Sequence, residues 1–116
     1  MKKSAKVGFV ESDYAWCAGF FDGEGSTTIL KAQRDKYSYV RMSLSQKDKR
    51  VLDKWSSIMQ VGNIYKAKTR EIHSLDIYKR DEVENTLNKM WPFLSEIKKE
   101  QAIRVFEGVD NHNNRS

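Results

Sequence analysis

Two carboxylates, Asp22 and Glu24, lie in a short run of the chain that is rich in glycine. The aromatic and apolar residues before this run predict a helix that begins at Ser12 or Asp13, so both acids would fall where that helix ends. Acidic side chains are unfavourable there because the helix dipole is negative at its C-terminus. A bound cation or a backbone donor would compensate for the two charges. The alternative is a glycine cap whose acids are simply solvated.

The residue spacing excludes two other kinds of metal site. An EF-hand calcium loop that began at these acids would need a glutamate where the chain has Gln33, and a glycine where it has Thr27. His73 and His112 share no metal-ligand spacing with each other or with Cys17. Neither pattern therefore predicts a metal site.

Gly19 lies inside the same predicted helix, where glycine is unfavourable unless close packing requires a small residue. Glycine in a helix interior costs about 1 kcal/mol relative to alanine. Beside Ala18 it would leave a flat patch on the helix, where the backbone of another helix can approach closely.

The remaining periodicity predicts two hairpins and three further helices, which must position these residues. The predicted strands are residues 26–33, 37–45, 63–68 and 72–78. In the third of them the register is ambiguous, because Ile64 and Tyr65 favour opposite faces of the sheet.

Three residues mark the starts of the other helices, and the resulting order fixes the fold class. Asp48 would cap the second helix, which Gly62 ends; Asp81 would open the third, and Pro92 the fourth. The order is helix, hairpin, helix, hairpin, helix, helix. It predicts an α+β fold in which the helices lie on one face of an antiparallel four-stranded sheet.

Length and composition limit the number of domains and the cellular compartment that we expect. Its 116 residues fit one domain, predicted at residues 11–107 between a flexible basic N-terminus, 1–10, and a flexible C-terminal tail, 108–116. Cys17 is the single cysteine and cannot form an internal disulfide, and no apolar run is long enough for a membrane span. We expect a cytoplasmic, organellar (mitochondrial or chloroplast) or phage-encoded protein that is not secreted and has no membrane partner.

The net charge of +5 is concentrated in the predicted hairpins. Residues 26–47 hold five basic residues against one acidic, and residues 62–80 hold five against two, so the rest of the chain has a small acidic excess. One face of these strands is apolar, whereas the other is polar and bears aromatic and basic groups. The residues of the polar face are Tyr39, Arg41, Ser43, Ser45, Ser74, Asp76 and Tyr78. A surface of this kind suits the DNA major groove, which admits a β-ribbon.

Residues 18–26, Ala-Gly-Phe-Phe-Asp-Gly-Glu-Gly-Ser, resemble the signature motif of the LAGLIDADG homing endonucleases. The predicted order of elements resembles their single-motif αββαββα subunit, and the resemblance extends over about residues 12–106. It implies a site-specific DNA endonuclease encoded by a mobile intron, which acts as a homodimer on a long pseudo-palindromic duplex. It also implies Mg²⁺ as the cofactor, with Ca²⁺ or Mn²⁺ as substitutes in binding, cleavage with 3′ overhangs and no small-molecule substrate. The alternative is a relative that has lost cleavage and acts as an RNA maturase or a repressor.

The resemblance also implies the residues of the active site. Glu24 would bind the metal, with Gly23 beside it as a second metal-binding position. Gln46 matches a polar residue that positions water, and Lys98 matches the active-site lysine. The spacing in that segment is one residue longer than in relatives, so Lys99 is a rival for Lys98.

Two further sets of residues follow from the resemblance and from the polar strand face. The residues expected in the dimer interface are Trp16, Ala18, Gly19, Phe20 and Asp22, of which Asp22 would hold the turn and not the metal. The residues expected to bind DNA are Thr28, Leu30, Arg34, Tyr39, Arg41, Ser43, Ser45, Lys66, Lys68, Arg70, Ser74 and Asp76.

Overall fold

The computed structural model describes residues 11–34 and 36–114, so the predicted flexible N-terminus, 1–10, lies outside the described residues. Helices and strands follow the predicted order along the chain. They are α1 (Glu11–Glu24), β1 (Gly25–Ala32), β2 (Tyr37–Gln46), α2 (Lys49–Met59), β3 (Asn63–Lys66), β4 (His73–Ile77), α3 (Arg80–Met90) and α4 (Glu96–Asn114), with a 3-10 turn at Trp91–Phe93. The α+β prediction is confirmed.

The four strands form one antiparallel sheet in the order β1-β2-β4-β3. Residue pairing between β3 and β4 resolves the register that the sequence left ambiguous. Ile64 lies opposite Leu75, on the apolar face, and Tyr65 lies opposite Ser74, on the polar face. Successive residues of a strand point to opposite faces, so this one pairing assigns the whole of β3.

The helices cover the apolar face of this sheet. Alternate residues of β2 and β4 are buried under them, among them Met42, Leu44 and Leu75. The helical side chains of the same core include Phe21, Leu52, Trp55, Met59, Val83, Leu87, Met90 and Val105. The other face of the sheet, which we call the outer face, carries the polar strand residues.

Helix α1 runs directly into β1. The helix includes Gly23 and ends at Glu24. Gly25 then begins the strand, where a Cβ atom would collide with the ring of Phe21. Only glycine lets the strand leave the helix so close to that ring, and this sharp junction holds the end of α1 against the edge of the sheet.

Helix α2 is capped as predicted at its start. The side chain of Asp48 accepts a hydrogen bond from the backbone N–H of Arg50 at 3.0 Å, and the hydrogen bonds from Arg50 lower the pKa of Asp48 to about 2. At the other end the helix finishes at Met59, with Gln60 in the left-handed conformation (φ 58°), and not at Gly62. Gly62 has φ 111° and turns the chain into β3 instead.

Helices α3 and α4 begin at different residues from those predicted. Helix α3 begins at Arg80, one residue before Asp81. Pro92 does not open α4 but lies in the turn Trp91–Phe93, because the residue after that turn has an extended backbone (φ −81°, ψ 149°) and separates the two segments. Helix α4 therefore begins at Glu96.

The predicted flexible tail from residue 108 is wrong for residues 108–114, which complete α4. Tertiary contacts order this segment although it holds few apolar residues. Val109 is buried, and Asp110 accepts two hydrogen bonds from the guanidinium of Arg80, at 2.7 and 3.1 Å. The side chain of Asn113 bonds both backbone groups of Ser38, at 2.8 and 2.9 Å.

Candidate active site and nucleic-acid interface

The carboxylate of Glu24 lies exposed at the C-terminal end of α1. No described residue makes a hydrogen bond or an ion pair with it. The next residue, Gly25, pairs with Leu44 in the sheet, and Gln46 lies two residues further along β2, in the direction of the helix end. The strand register thus brings the end of β2 beside the end of α1, and Gln46 Oε1 accepts a hydrogen bond from the backbone N–H of Lys47 at 2.9 Å.

A lysine reaches the same junction from α4. Lys98 Nζ donates a hydrogen bond to the carbonyl oxygen of Gly25 at 2.6 Å and lies 5.9 Å from the ring centre of Phe21. The neighbouring Lys99 points elsewhere, with Nζ 3.6 Å from Glu96 Oε2. Of the two rival lysines, only Lys98 lies at the junction of α1 and β1.

Asp22 connects α1 to the start of α4. Its Oδ1 accepts a hydrogen bond from the backbone N–H of Ser95 at 3.2 Å. The hydroxyl of Ser95 in turn accepts one from the backbone N–H of Lys98, at 3.2 Å, so Ser95 caps the first turn of α4. Asp22 thus holds the segment that carries Lys98, which is a structural contact and not a metal-ligand arrangement.

One chain supplies only part of a metal site. Among the described residues, no three His, Cys, Asp or Glu side chains cluster closely enough to hold a metal ion. The donors present are the carboxylate of Glu24 and the carbonyl groups of the last helical turn, Gly23 among them, which have no partner within a helix. These are hard oxygen donors that suit Mg²⁺, and the negative end of the helix dipole favours a cation there. The residues fit the ion, provided that further oxygens come from a second molecule.

No described helix packs over the two glycines of α1, although Lys54 of α2 lies 4.1 Å from the ring centre of Trp16. An added Cβ would meet nothing within 4 Å at either Gly19 or Gly23, which lie one helical turn apart. On the same helix, the rings of Trp16 and Phe20 stack in parallel with their centres 5.7 Å apart, and both are only partly buried. We call these four residues the α1 face. Ala18, which was expected beside them, is 0 % exposed and packs in the core of the chain, so its assignment to a dimer interface is wrong for its side chain.

Most of the expected DNA-binding residues lie on the outer face of the sheet. Thr28 pairs with Arg41, and Leu30 pairs with Tyr39, so β1 and β2 present these four residues on one side. The hydroxyl groups of the two serines that follow in this row, Ser45 and Ser74, lie 3.2 Å apart, and Ser43 lies between Arg41 and Ser45 on the same face.

Four basic residues lie outside that row. Lys66 pairs with His73, on the side of the sheet that faces the helices, and its Nζ lies 3.3 Å from Glu71 Oε2. Its part in DNA binding stays a prediction. Lys68 and Arg70 are exposed in the loop between β3 and β4. Arg34 is exposed in the turn between β1 and β2, where its φ is 58°.

Asp76 is the one expected DNA-binding residue that is buried. It is 3 % exposed, although its position on β4 places it on the outer face. Its carboxylate accepts hydrogen bonds from the hydroxyl groups of Tyr65 and Tyr78, at 2.7 and 3.1 Å. Tyr65 was missed as a site residue because the register of its strand could not be assigned from the sequence.

Gln101 is a second residue that the sequence did not reveal. Its Oε1 accepts a hydrogen bond from the backbone N–H of Thr27 at 2.9 Å, and it lies one helical turn after Lys98 in α4. The two residues together tie α4 to the first part of β1. The only sequence signal was their helical spacing, which many pairs in the chain share.

Cys17 stays a core residue. It is 0 % exposed, and burial raises the pKa of its thiol to about 12, so the thiol is neutral at physiological pH. Its backbone carbonyl accepts a hydrogen bond from Trp55 Nε1 at 3.2 Å, which fixes α1 against α2.

Comparison with known proteins places this fold and site in a family. The family model for the LAGLIDADG endonuclease matches residues 17–104. Among solved structures, the homing endonuclease I-CvuI in complex with the I-CreI target and 2 mM Mg superposes with a TM-score of 0.75 at 22% identity, covering 90% of this chain and 69% of that one. The group I intron-encoded I-CeuI, complexed with DNA, has a TM-score of 0.72 at 19% identity, covering 93% of this chain and 58% of that one. For the archaeal intron-encoded I-Vdi141I, complexed with DNA, the TM-score is 0.67 at 22% identity, with 79% and 64% covered.

No curated protein matches the sequence. The polar outer face of the sheet, the basic residues in its hairpin loops and the exposed Glu24 near Lys98 together fit the class of DNA-cleaving α+β proteins. Within that class, the chain belongs to the LAGLIDADG endonuclease family, because the family model matches most of its length. It is therefore a site-specific DNA endonuclease, and the maturase or repressor alternative is not favoured. No helix within the described part of the chain is long and apolar enough to span a membrane.

Proposed function

We propose that two copies of this chain assemble through the α1 face and hydrolyse both strands of a DNA duplex with Mg²⁺ held at the Glu24 carboxylates. The observation that carries the proposal is the exposed, unpartnered Glu24 beside Lys98 at the end of a helix with an uncovered glycine surface. A lone carboxylate is a poor Mg²⁺ site, whereas two copies joined along α1 would bring two such helix ends together.

Each residue near the helix end has a distinct part in this proposal. When bound, the metal would activate a water molecule and stabilise charge on the phosphate and the leaving oxygen. Glu24, with the main chain at Gly23, would hold it. The ammonium of Lys98 would face the charge that develops on the phosphate, and the amide of Gln46 would orient water.

The outer face of the sheet would lie in the major groove. Its row of hydroxyl, phenol and guanidinium groups from β1, β2 and β4 can reach base edges, while Arg34, Lys68 and Arg70 at the ends of the hairpins can meet phosphates. The I-CvuI complexes in the presence of Mg and of Ca support the use of a divalent metal by this fold.

The test compares Glu24→Gln with the control variant Glu107→Gln. Glu107 is an exposed acid in the C-terminal half of α4. Duplex substrate would be obtained by selection from a randomised library in Ca²⁺, and cleavage would then be followed in Mg²⁺. Glu24→Gln should reduce the cleavage rate by at least about a hundredfold, because it removes the metal ligand, and change the Kd by less than about threefold. The Glu107 variant should behave like the wild type.

Two results would contradict the proposal. Near-normal cleavage by Glu24→Gln would show that the metal site is elsewhere. A wild-type chain that binds duplex in both metals and cuts in neither would remove the nuclease function altogether.

A further inference from the structure

Asp76 is an acid buried within a surface that the proposed function directs toward DNA. It is 3 % exposed on the outer face, where its cross-strand neighbours are Ser43 on β2 and Asn63 on β3. Burial of a carboxylate is costly unless hydrogen bonds or an opposite charge compensate. A negative charge near phosphates would also weaken DNA binding unless it were neutralised.

Three side chains converge on this carboxylate. The hydroxyl groups of Tyr65 and Tyr78 both donate to Oδ2, at 2.7 and 3.1 Å. The other oxygen, Oδ1, lies 3.6 Å from Arg41 Nε and accepts no hydrogen bond from a described residue. We call Asp76, Arg41, Tyr65 and Tyr78 the Asp76 cluster.

The sheet register explains why the cluster forms. Arg41 lies two residues before Ser43, and Tyr65 two residues after Asn63, so both are diagonal neighbours of Asp76 on the same face. Diagonal neighbours in an antiparallel sheet are within reach of long and aromatic side chains. Asp76 lies on a central strand, β4, so it contacts residues of both adjacent strands. Tyr78 follows Asp76 by two residues in the same segment of the chain.

The cluster attracts one side of the arginine through an ion pair: Arg41 Nε is buried near Asp76 Oδ1 without a hydrogen bond, and no described residue bonds the other guanidinium nitrogens. The side chain of Arg41 is 32% exposed. The two tyrosine hydroxyl groups hold Oδ2 of Asp76 on the side away from Oδ1, which leaves Oδ1 toward the arginine. The hydrogen bond to Asp76 also raises the pKa of the Tyr65 phenol.

We infer that Asp76 is a positioning residue that holds Arg41 on the outer face so that its free guanidinium reads a guanine in each half-site. This inference rests on the proposed function, because it requires the outer face to lie in the major groove. Arginine commonly reads guanine there through the O6 and N7 atoms, and this contact depends on the direction of the guanidinium. An arginine that is paired with a buried carboxylate loses less conformational freedom on binding DNA than an arginine that is fully solvated.

The test measures base preference by selection from a randomised duplex library. Asp76→Asn keeps the shape of the side chain and removes the charge, and Asp53→Asn is the matched control, since Asp53 is paired with Lys49 on α2, away from the sheet. Both variants gain the same net charge. We expect Asp76→Asn to lose about tenfold in discrimination for guanine at one position of each half-site. Asp53→Asn should keep the wild-type preference.

A double-mutant cycle tests whether Asp76 acts through Arg41. Arg41→Ala should abolish the preference at the same position, and adding Asp76→Asn to it should change the preference no further. Tyr65→Phe, which keeps the carboxylate and removes one donor, should give a smaller loss at that position. This milder variant keeps the inference testable if Asp76→Asn unfolds.

The outcomes separate this inference from the proposed function. A wild-type chain that selects a site and an Asp76→Asn variant that selects it equally well would overturn only the positioning role. Loss of preference spread over many positions, together with a lowered Tm, would overturn it in favour of a purely structural role. A wild-type chain with no base preference would overturn the proposed function and this inference together.

Discussion

Lys98 and Lys99 are adjacent in α4, but their side chains leave the helix in different directions. Lys98 donates to the carbonyl of Gly25 at 2.6 Å, next to Glu24, whereas Lys99 lies against Trp91 and Glu96. Adjacent residues of a helix differ by about 100° around its axis, so only one of them can face a given site. The spacing along the chain did not show which lysine reaches the junction of α1 and β1. The packing of α4 on β1 determines that it is Lys98.

This geometry predicts unequal effects of two identical substitutions. Lys98→Met should lower the cleavage rate by about a hundredfold or more, because it removes a cation beside the phosphate, and leave DNA affinity within a few fold. Lys99→Met should cleave within about threefold of the wild type. Single-turnover cleavage of the selected duplex in Mg²⁺ measures both, and equal losses in the two variants would contradict the assignment.

At the scale of elements, the C-terminal turns of α4 replace a missing strand. Strand β4 ends at Ile77, opposite Met42, so no described strand pairs with the first residues of β2 on that side. There Asn113 uses its amide to bond the N–H and the C=O of Ser38, and His112 Nδ1 lies 2.6 Å from the Ser38 hydroxyl. The end of α4 thus satisfies the backbone at an open edge of the sheet.

Asn113→Ala should therefore destabilise the chain by about 2 kcal/mol, because it leaves the buried backbone groups of Ser38 without partners. Asn111→Ala provides the control in the same helix turn, since Asn111 is exposed and bonds no described residue. Denaturant unfolding measures both. If the two variants unfold at the same denaturant concentration, the end of α4 contributes nothing to the sheet.

At the scale of the whole molecule, the uncovered α1 face is the feature that one chain leaves unexplained. Gly19 and Gly23 are helical residues at which an added Cβ would meet no described residue within 4 Å, so nothing in the described part of one chain packs against them. If the α1 helix of a second copy packed there, the glycines would let the two helix backbones approach closely. Each copy would add one Glu24 and one basic sheet, which is what a two-strand cut requires.

Gly19→Leu should accordingly separate folding from association. Leucine favours a helix over glycine by up to about 1 kcal/mol, so the unfolding free energy of the single chain should not fall. The larger side chain should block a second helix and give monomers that do not cut. Sedimentation at micromolar concentration measures association, with Ser57→Leu at an exposed position of α2 as the control. A Gly19→Leu dimer that still cuts would show that copies meet elsewhere.

The sequence by itself determined the features that depend on local order along the chain. The alternation of β2, the cap at Asp48 and the glycine-rich end of α1 each report a backbone preference or a periodicity, and those arise from neighbours in sequence. The motif at residues 18–26 also placed Glu24 correctly at the end of a helix. These features sufficed for the α+β fold and for the family.

Only the tertiary structure decided which side chains meet. It buried Ala18 and Asp76, ordered residues 108–114, placed Lys66 on the other side of the sheet and selected Lys98 over Lys99 at the α1–β1 junction. Each of these outcomes depends on strand register or on the rotation of a helix about its axis. Contacts between residues distant in the chain set both quantities, so the local pattern does not contain them.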